Sequence, residues 1–293
     1  MQFVGKVGGL IQTYVDRCAA LDPVWAIGIM TLLAMVKYQD GAWYYHVIGP
    51  VILGVAALFP RSVYREQFWL LMCMITGSSV VLDWTLLGNH SFMLFYWSLA
   101  LLLASFSKDR MRFLAMSSRW LIAFLFLFAF VWKLNSDDFR SGATARYLLS
   151  ATYPASQLSV VFAGMSWSQL AENINDVKRV LSSPVPMQTR LSSNVAVGRL
   201  ANVMTMMTLI VEGLTAVVFL LPLSLRWTWL RDASLISFML TAYSIIPVAS
   251  FATQLAYLGY AATNSKRSRA AYIALFFLCQ LSFLIVGRNW GLV

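Results

Sequence analysis

Long apolar stretches separated by short polar connections dominate the chain. A helix that crosses a membrane needs about 20 mostly apolar residues, because it rises 1.5 Å per residue through a hydrocarbon core about 30 Å thick. The candidate stretches are residues 24–36, 46–59, 68–87, 92–106, 120–134, 200–221, 233–262 and 271–286. The pattern predicts an all-α fold, a polytopic membrane helix bundle of about eight transmembrane helices, with residues 1–293 as a single domain.

The seventh stretch is the least regular. A helix over residues 233–262 would be roughly 45 Å long, more than the hydrocarbon core, and Pro247 lies inside it. We expect a tilted or kinked helix there, because two full spans would not fit.

Two segments are predicted to lie outside the membrane. In residues 1–22, Phe3, Val7, Leu10 and Tyr14 recur at helical spacing, which predicts an amphipathic helix along the membrane surface. Residues 135–198 form the single long connection, and long connections in compact proteins tend to be functional. We expect these roughly 60 residues to form a helical, non-cytoplasmic cap that includes an amphipathic helix at 166–181.

The distribution of basic residues predicts the orientation. The net charge is +10, and cytoplasmic loops attract Lys and Arg. With eight spans, the basic residues near positions 6–17, 61–65, 108–112 and 226–231 fall on one side, whereas those at 266–269 fall on the other. We therefore expect both termini in the cytoplasm and a location in a bacterial inner membrane.

Composition narrows the class of protein further. The chain is 59% hydrophobic and 12% charged, whereas soluble domains are about 25% charged. Basic runs with interleaved aromatics are lacking outside the apolar stretches, so membrane lipids, and not nucleic acid, are the expected partners. Three scattered cysteines and two histidines offer no cluster for zinc, iron–sulfur or a multi-histidine haem or copper site. We expect no metal.

Charged groups at membrane depth are costly and are functional hypotheses by default. Lys133 ends the fifth stretch, where it either extends to the headgroups or points inward as a base. Glu212 lies in the middle of the sixth stretch beside Gly213 and cannot reach a headgroup. Protonated, it would be a structural hydrogen-bonding residue; ionised, it needs a cation such as Lys133 or an arginine.

Asn89 and His90 begin the fourth stretch and leave two alternatives open. Asn before a helix is a common N-cap, and the aromatic residues that follow suit a membrane interface. Alternatively, His90 binds or polarises a ligand at the membrane mouth. By the parity of the spans, Asn89, His90 and Lys133 emerge on the same side, so the fourth and fifth helices could place them together.

These motifs together resemble the HTTM membrane domain, the membrane part of vitamin K-dependent gamma-carboxylase and of bacterial relatives. The similar motifs are Asn89-His90 followed by Tyr96-Trp97, the run from Phe130 through Lys133 to Asn135 with Ser141-Gly142 after it, and Glu212 in a helix that ends at Pro222. The run 243–259 is a weaker match. The resemblance spans roughly residues 81–262.

The resemblance implies a specific chemistry. Lys133 would be the base that deprotonates a quinol, and Asn89 and His90 would orient the substrate or stabilise its oxyanion. Glu212 would be the buried charge partner. Asn135, Tyr96, Trp97 and Gly142 would belong to the substrate-binding region, and a quinone is the cofactor that the family suggests.

Three functional hypotheses follow. The carboxylase has a large extramembrane portion after its membrane domain, so we expect this chain, which ends at Val293, to handle a quinol-like substrate and not to carboxylate a peptide. An accessory or assembly subunit of a larger membrane complex, with other membrane subunits as partners, is the alternative. A small transporter is the third, with Pro247 as a candidate helix break but with no visible repeat.

Overall fold

The computed structural model describes residues 2–36, 44–82, 85, 88–222, 227–245 and 249–289. Within these ranges the protein is all-helical and contains no β-strand, which confirms the predicted class. A 3-10 helix at Pro60–Tyr64 follows α3. The α-helices are α1 (Gln2–Ala19), α2 (Pro23–Val36), α3 (Tyr44–Leu58), α4 (Glu66–Leu82), α5 (Asn89–Ser105), α6 (Arg110–Asn135), α7 (Asp137–Arg140), α8 (Ala143–Ala151), α9 (Ser156–Ala163), α10 (Trp167–Ser182), α11 (Val195–Leu220), α12 (Trp229–Ile245), α13 (Ala249–Ala262) and α14 (Lys266–Asn289).

Fewer helices than expected are long enough to cross a membrane. In the described part of the chain, α6 and α11, with 26 residues each, are long and apolar enough, and α1 with α2 adds a third if this pair, bent by 96°, is one broken span. The predicted number of about eight is therefore wrong. Helices α2 to α5 have 14 to 17 residues, and at 1.5 Å per residue they reach only about 21–26 Å.

The segment 229–262 doubles back on itself, so the predicted single seventh helix is also wrong. It forms α12 and α13, and the predicted break at Pro247 lies between them, outside the described residues. The Thr263 hydroxyl donates a 2.7 Å hydrogen bond to Asp232 near the start of α12. A continuous helix would hold these residues roughly 45 Å apart. The two helices are therefore a hairpin whose outer ends meet.

The hairpin brings the basic connections to one end of the bundle. Arg269, at the start of α14, donates a 3.2 Å hydrogen bond to the Thr263 carbonyl, and Arg231 bonds to the end of α11. Arg119, in the first half of α6, bonds to the same end of α11. We call this the arginine end, defined by Arg119, Arg231 and Arg269. The connection after α13, predicted to lie opposite the other basic loops, lies with them.

Helix α13 is the centre of the core. Its residues from Ala252 to Ala261 are almost fully buried around the whole helix, since α2, α5, α6, α12 and α14 pack against it. Tyr257 stacks on Trp97 of α5 at 5.7 Å between ring centroids. Small residues allow such close packing on every side.

At the opposite end, which we call the cap end, α7 to α10 connect α6 to α11. The predicted helix at 166–181 is confirmed as α10. Ser166 caps it by accepting a 3.2 Å hydrogen bond from the Gln169 backbone, and the Gln169 side chain accepts a bond from the Ser166 backbone in return. Residues 183–194 then lead, without helix, into α11.

Gly259 is the position at which α13 depends most on a small residue. A Cβ atom there would lie 2.3 Å from Cε1 of Tyr272 in α14. We expect Gly259→Ala to lower the free energy of unfolding by about 1–3 kcal/mol, because the Tyr272 ring cannot retreat inside a packed core. Thermal unfolding in detergent micelles measures this. Gly54→Ala in α3, where nothing lies within 4 Å of a Cβ, is the control and should not lower stability. Equal melting temperatures of the two variants would contradict the close approach.

Candidate functional site

The site is built on the antiparallel pair α6 and α11. At the arginine end, Arg119 of α6 donates to the carbonyls of Phe219 at 2.8 Å, Leu220 at 2.9 Å and Leu221 at 2.9 Å. Arg231 donates to Val218 at 3.0 Å and again to Leu221. The last carbonyls of a helix have no partner within it, so the two guanidinium groups fix the end of α11 against α6.

Toward the cap end, Lys133 and Glu212 join the same two helices through an ion pair. The Lys133 ammonium donates to Oε1 of Glu212. The Glu212 side chain is 6% exposed and that of Lys133 is 18% exposed. Of the two positions left open for Lys133, the structure therefore shows the inward one.

Gly213 and Phe130 explain how the two helices come close enough for this contact. A Cβ on Gly213 would lie 3.0 Å from the Phe130 ring, so glycine lets the ring lie directly on the α11 backbone. The pair is thus enclosed by a tight helix crossing.

The surroundings of the ion pair are mostly aromatic. The Lys133 ammonium lies 5.2 Å from the centre of the Phe139 ring, a favourable cation–π distance. Phe139 is held by Ser136, which accepts its backbone N–H at 3.3 Å at the start of α7. Tyr243 belongs to α12, which packs against α11.

One oxygen of this carboxylate remains available. Glu212 Oε2 and the Tyr243 hydroxyl are both buried, and neither has a hydrogen-bond partner within the described ranges. An ion pair in such surroundings is poorly solvated, so removal of either partner would leave an uncompensated buried charge.

Asn89 and Tyr96 belong to a different place. They lie on the wall of an apolar groove of about 460 Å³ between α5 and α6, whose other wall includes Leu121, Phe124 and Phe128. Lys133 follows Phe128 by five residues, which turns it about 140° around α6. Lys133 and Asn89 therefore share the cap end but lie on different sides of α6, so the structure does not bring these two predicted site residues together.

His90 is oriented by its neighbours on α5 and α13. Its carbonyl accepts a 2.9 Å hydrogen bond from Nε2 of Gln254, a buried residue of α13. Its imidazole lies against Gly88, where a Cβ would be 2.7 Å from Nδ1. The hydrogen bond from Gln254 links the start of α5 to the central helix, α13.

The remaining predicted site residues each have a partner within the protein. Trp97 is fully buried in the core, where its indole N–H donates to the Thr31 hydroxyl at 3.0 Å. Asn135 is exposed and donates to the Val131 carbonyl at 2.8 Å in the last turn of α6. Gly142 has φ +71° and precedes α8, and a Cβ there would lie 2.7 Å from Oδ1 of Asn202. Gly142 therefore lies against α11 at Asn202.

Sequence reasoning missed Arg119 and Arg231. The signal was present, because each arginine stands at the start of an apolar run and Pro222 ends the helix between them. Their partners are backbone carbonyls, which a sequence does not display. For metals, the described residues contain no group of three or more His, Cys, Asp or Glu side chains that could hold an ion.

Comparison of the chain with protein-family models, with curated proteins and with solved structures gives no match. The resemblance to the HTTM membrane domain therefore stays an expectation, and the function has to be argued from the geometry of the site.

Lys133 and Glu212 should be energetically coupled. We expect Lys133→Met to lower the free energy of unfolding by about 3–5 kcal/mol, because it leaves a buried carboxylate without its cation. Adding Glu212→Gln should recover part of that loss, with a coupling energy of about 0.5–3 kcal/mol in a double-mutant cycle of thermal unfolding. The exposed pair Arg140–Asp137 is the control and should show no measurable coupling. Strictly additive effects at Lys133 and Glu212 would refute the pairing.

Proposed function

We propose that the protein is an integral membrane enzyme in which the Lys133–Glu212 pair removes a proton from a lipid-soluble, quinol-like substrate. The observation that supports this proposal is the ion pair itself, enclosed between the two longest apolar helices. A structural ion pair at this depth is expensive. Its low solvation also suits it to proton transfer.

The chemistry requires two proton movements. The shared proton first moves from the Lys133 ammonium to Oε1 of Glu212, which leaves a neutral amine. The amine then takes the hydroxyl proton of the substrate, and the new ammonium stabilises the substrate oxyanion beside it. Phe139 shields the ammonium from water on one side.

A hydroquinone suits this base because it is soluble in lipid and carries a phenolic hydroxyl whose proton a positioned amine can remove. The substrate hydroxyl must come within hydrogen-bond reach of the Lys133 amine, so its ring would dock beside Phe139 on this side of α6. The apolar groove that Asn89 and Tyr96 line opens on a different side of the helix and takes no part in this step.

An oxygen-uptake assay tests the base. A hydroquinone anion reacts with dioxygen faster than the neutral form, giving quinone and hydrogen peroxide, so a base that removes the proton accelerates oxygen consumption. We expect the purified protein in nanodiscs to accelerate the oxidation of a short-chain naphthohydroquinone, and Lys133→Arg to abolish the effect. Arginine keeps the positive charge but cannot release its proton.

Lys108→Met is the control, since Lys108 is exposed in the connection before α6, near the arginine end. It should retain full activity. Unchanged acceleration by Lys133→Arg would refute the base role.

An accessory subunit of a membrane complex is the second candidate function, and an aromatic ladder on α6 favours it. Trp120, Phe124 and Phe128 stack at 5.6 and 6.0 Å between ring centroids, and Trp132 extends the row. All four side chains are exposed. Aromatic side chains are enriched in protein–protein interfaces, so this face suits a helix of another subunit. The accessory role predicts no acceleration of quinol oxidation by any variant.

We further propose that the arginine end faces the cytoplasm, as expected for a protein of a bacterial inner membrane. The basic connections, including the one after α13, would all lie on this side, in accord with the positive-inside rule. The start of α14 lies at the arginine end, so α14 runs toward the cap end. The orientation therefore differs from the expected one, in which both termini lie in the cytoplasm.

Cysteine labelling of intact cells tests this orientation. In a background in which Cys18, Cys73 and Cys279 are replaced by alanine, Ser265→Cys reports on the connection after α13 and Gln188→Cys on the cap. Both positions are exposed. We expect a membrane-impermeant maleimide to label Gln188→Cys at once and Ser265→Cys only after the membrane is permeabilised. Labelling of both in intact cells would indicate a single seventh span and would contradict the hairpin.

A further inference from the structure

A polar cleft opens at the cap end, between the segment before α8 and the first turns of α11. Its volume is about 480 Å³, within the range of about 300–1,000 Å³ that small-molecule sites occupy. The polar side chains that line it include Arg146, Arg199, Ser141, Ser193 and Asn202, and no Asp or Glu is among the lining residues. The cleft therefore combines two cations with several hydrogen-bonding groups.

The two arginines have unused donors. A guanidinium group carries five N–H donors, and Arg146 gives one to the Ser141 carbonyl at 3.0 Å. Within the described ranges, neither Arg146 nor Arg199 forms an ion pair. In contrast, the cap arginines Arg140 and Arg179 are each paired with an aspartate three residues before them.

The walls of the cleft are fixed before any ligand arrives. The Asn194 side chain accepts the Val197 backbone N–H at 2.8 Å and donates to the Ala163 carbonyl at 2.8 Å, so it holds the start of α11 to the cap. The positive end of the α11 dipole adds to the charge of the arginines. On the floor, Asn202 lies against Gly142.

A buried hydroxyl lies behind this floor. Thr205 is 4% exposed, and its Oγ1 has no hydrogen-bond partner in the described part of the chain. It would lie 3.8 Å from a Cβ on Gly142, on the same side as Asn202. An unpaired polar atom therefore lies next to the floor of the cleft.

The depth of the cleft favours a lipid. With 26 residues, α11 is about 39 Å long, whereas the hydrocarbon core is about 30 Å thick and the headgroup layers extend it to about 40–45 Å. The first turns of α11, which line the cleft, therefore reach the level of the headgroups. Arginine binds phosphate through paired hydrogen bonds. We propose that this cleft binds the phosphate group of a membrane phospholipid.

Native mass spectrometry of the delipidated full-length protein in a non-ionic detergent tests the proposal. The probes are dioctanoyl phosphatidylglycerol, dioctanoylglycerol, which has the same chains without the phosphate, and inorganic phosphate. We expect Arg146→Gln/Arg199→Gln to bind phosphatidylglycerol about ten- to thirty-fold more weakly than the wild type. Binding of dioctanoylglycerol should not change.

A second pair of variants tests the same cleft without touching the arginines. Gly198 lines it, and nothing lies within 4 Å of a Cβ there. Gly198→Glu should therefore fold normally and weaken phosphatidylglycerol binding to a similar extent, whereas the equally large Gly198→Gln should bind it more tightly than Gly198→Glu does. Arg140→Gln/Arg179→Gln controls for net charge and should bind like the wild type.

Two results would overturn the proposal. If Arg146→Gln/Arg199→Gln and Gly198→Glu both bind phosphatidylglycerol as the wild type does, the cleft is not the binding site. If inorganic phosphate alone binds as tightly as the lipid and competes with it, the site recognises a soluble anion and the lipid assignment is wrong.

Discussion

The need to satisfy the carbonyls at the end of α11 organises the bundle. These carbonyls lie at the end of the helix just before Pro222 and have no partner within it. Arg119 of α6 and Arg231 of α12 supply the donors. The contact holds α11 in one register along α6, and that register places Glu212 beside Lys133 and Asn202 beside Gly142. It also anchors the start of α12, from which the hairpin begins.

The fold could be predicted from the sequence where it depends on local pattern. The apolar runs that became α6 and α11 and the capped helix α10 are local features, because side chains one turn apart decide them. The hairpin is not local. Its outer ends meet through a hydrogen bond between Asp232 and Thr263, which are 31 positions apart. An apolar run of 30 residues looks the same whether it forms one tilted helix or two short ones, so the sequence could not decide between them.

Some features of the candidate site could likewise be predicted from the sequence, and others could not. Lys133 and Glu212 stood out because charge within an apolar run is rare and costly, and their pairing was among the alternatives left open. The grouping of Lys133 with Asn89 failed because the sequence shows at which end of a helix a residue lies, but not which neighbouring helix its side chain faces. Trp97 illustrates the same limit. An aromatic residue near a motif can either contact a ligand or belong to the core, and the sequence does not distinguish the two. In the structure, Trp97 is buried beside Thr31.

The central position of α13 has a consequence for how the protein is made. With 14 residues, α13 is about 21 Å long and too short to be recognised as an independent membrane segment during synthesis. The helices that pack around α13 lie both before and after it in the sequence. Helices α2, α5 and α6 leave the ribosome before α13, and α14 leaves after it. The middle of the protein is therefore completed only when α14 has been made, so translation that stops before α14 leaves one side of the central helix uncovered.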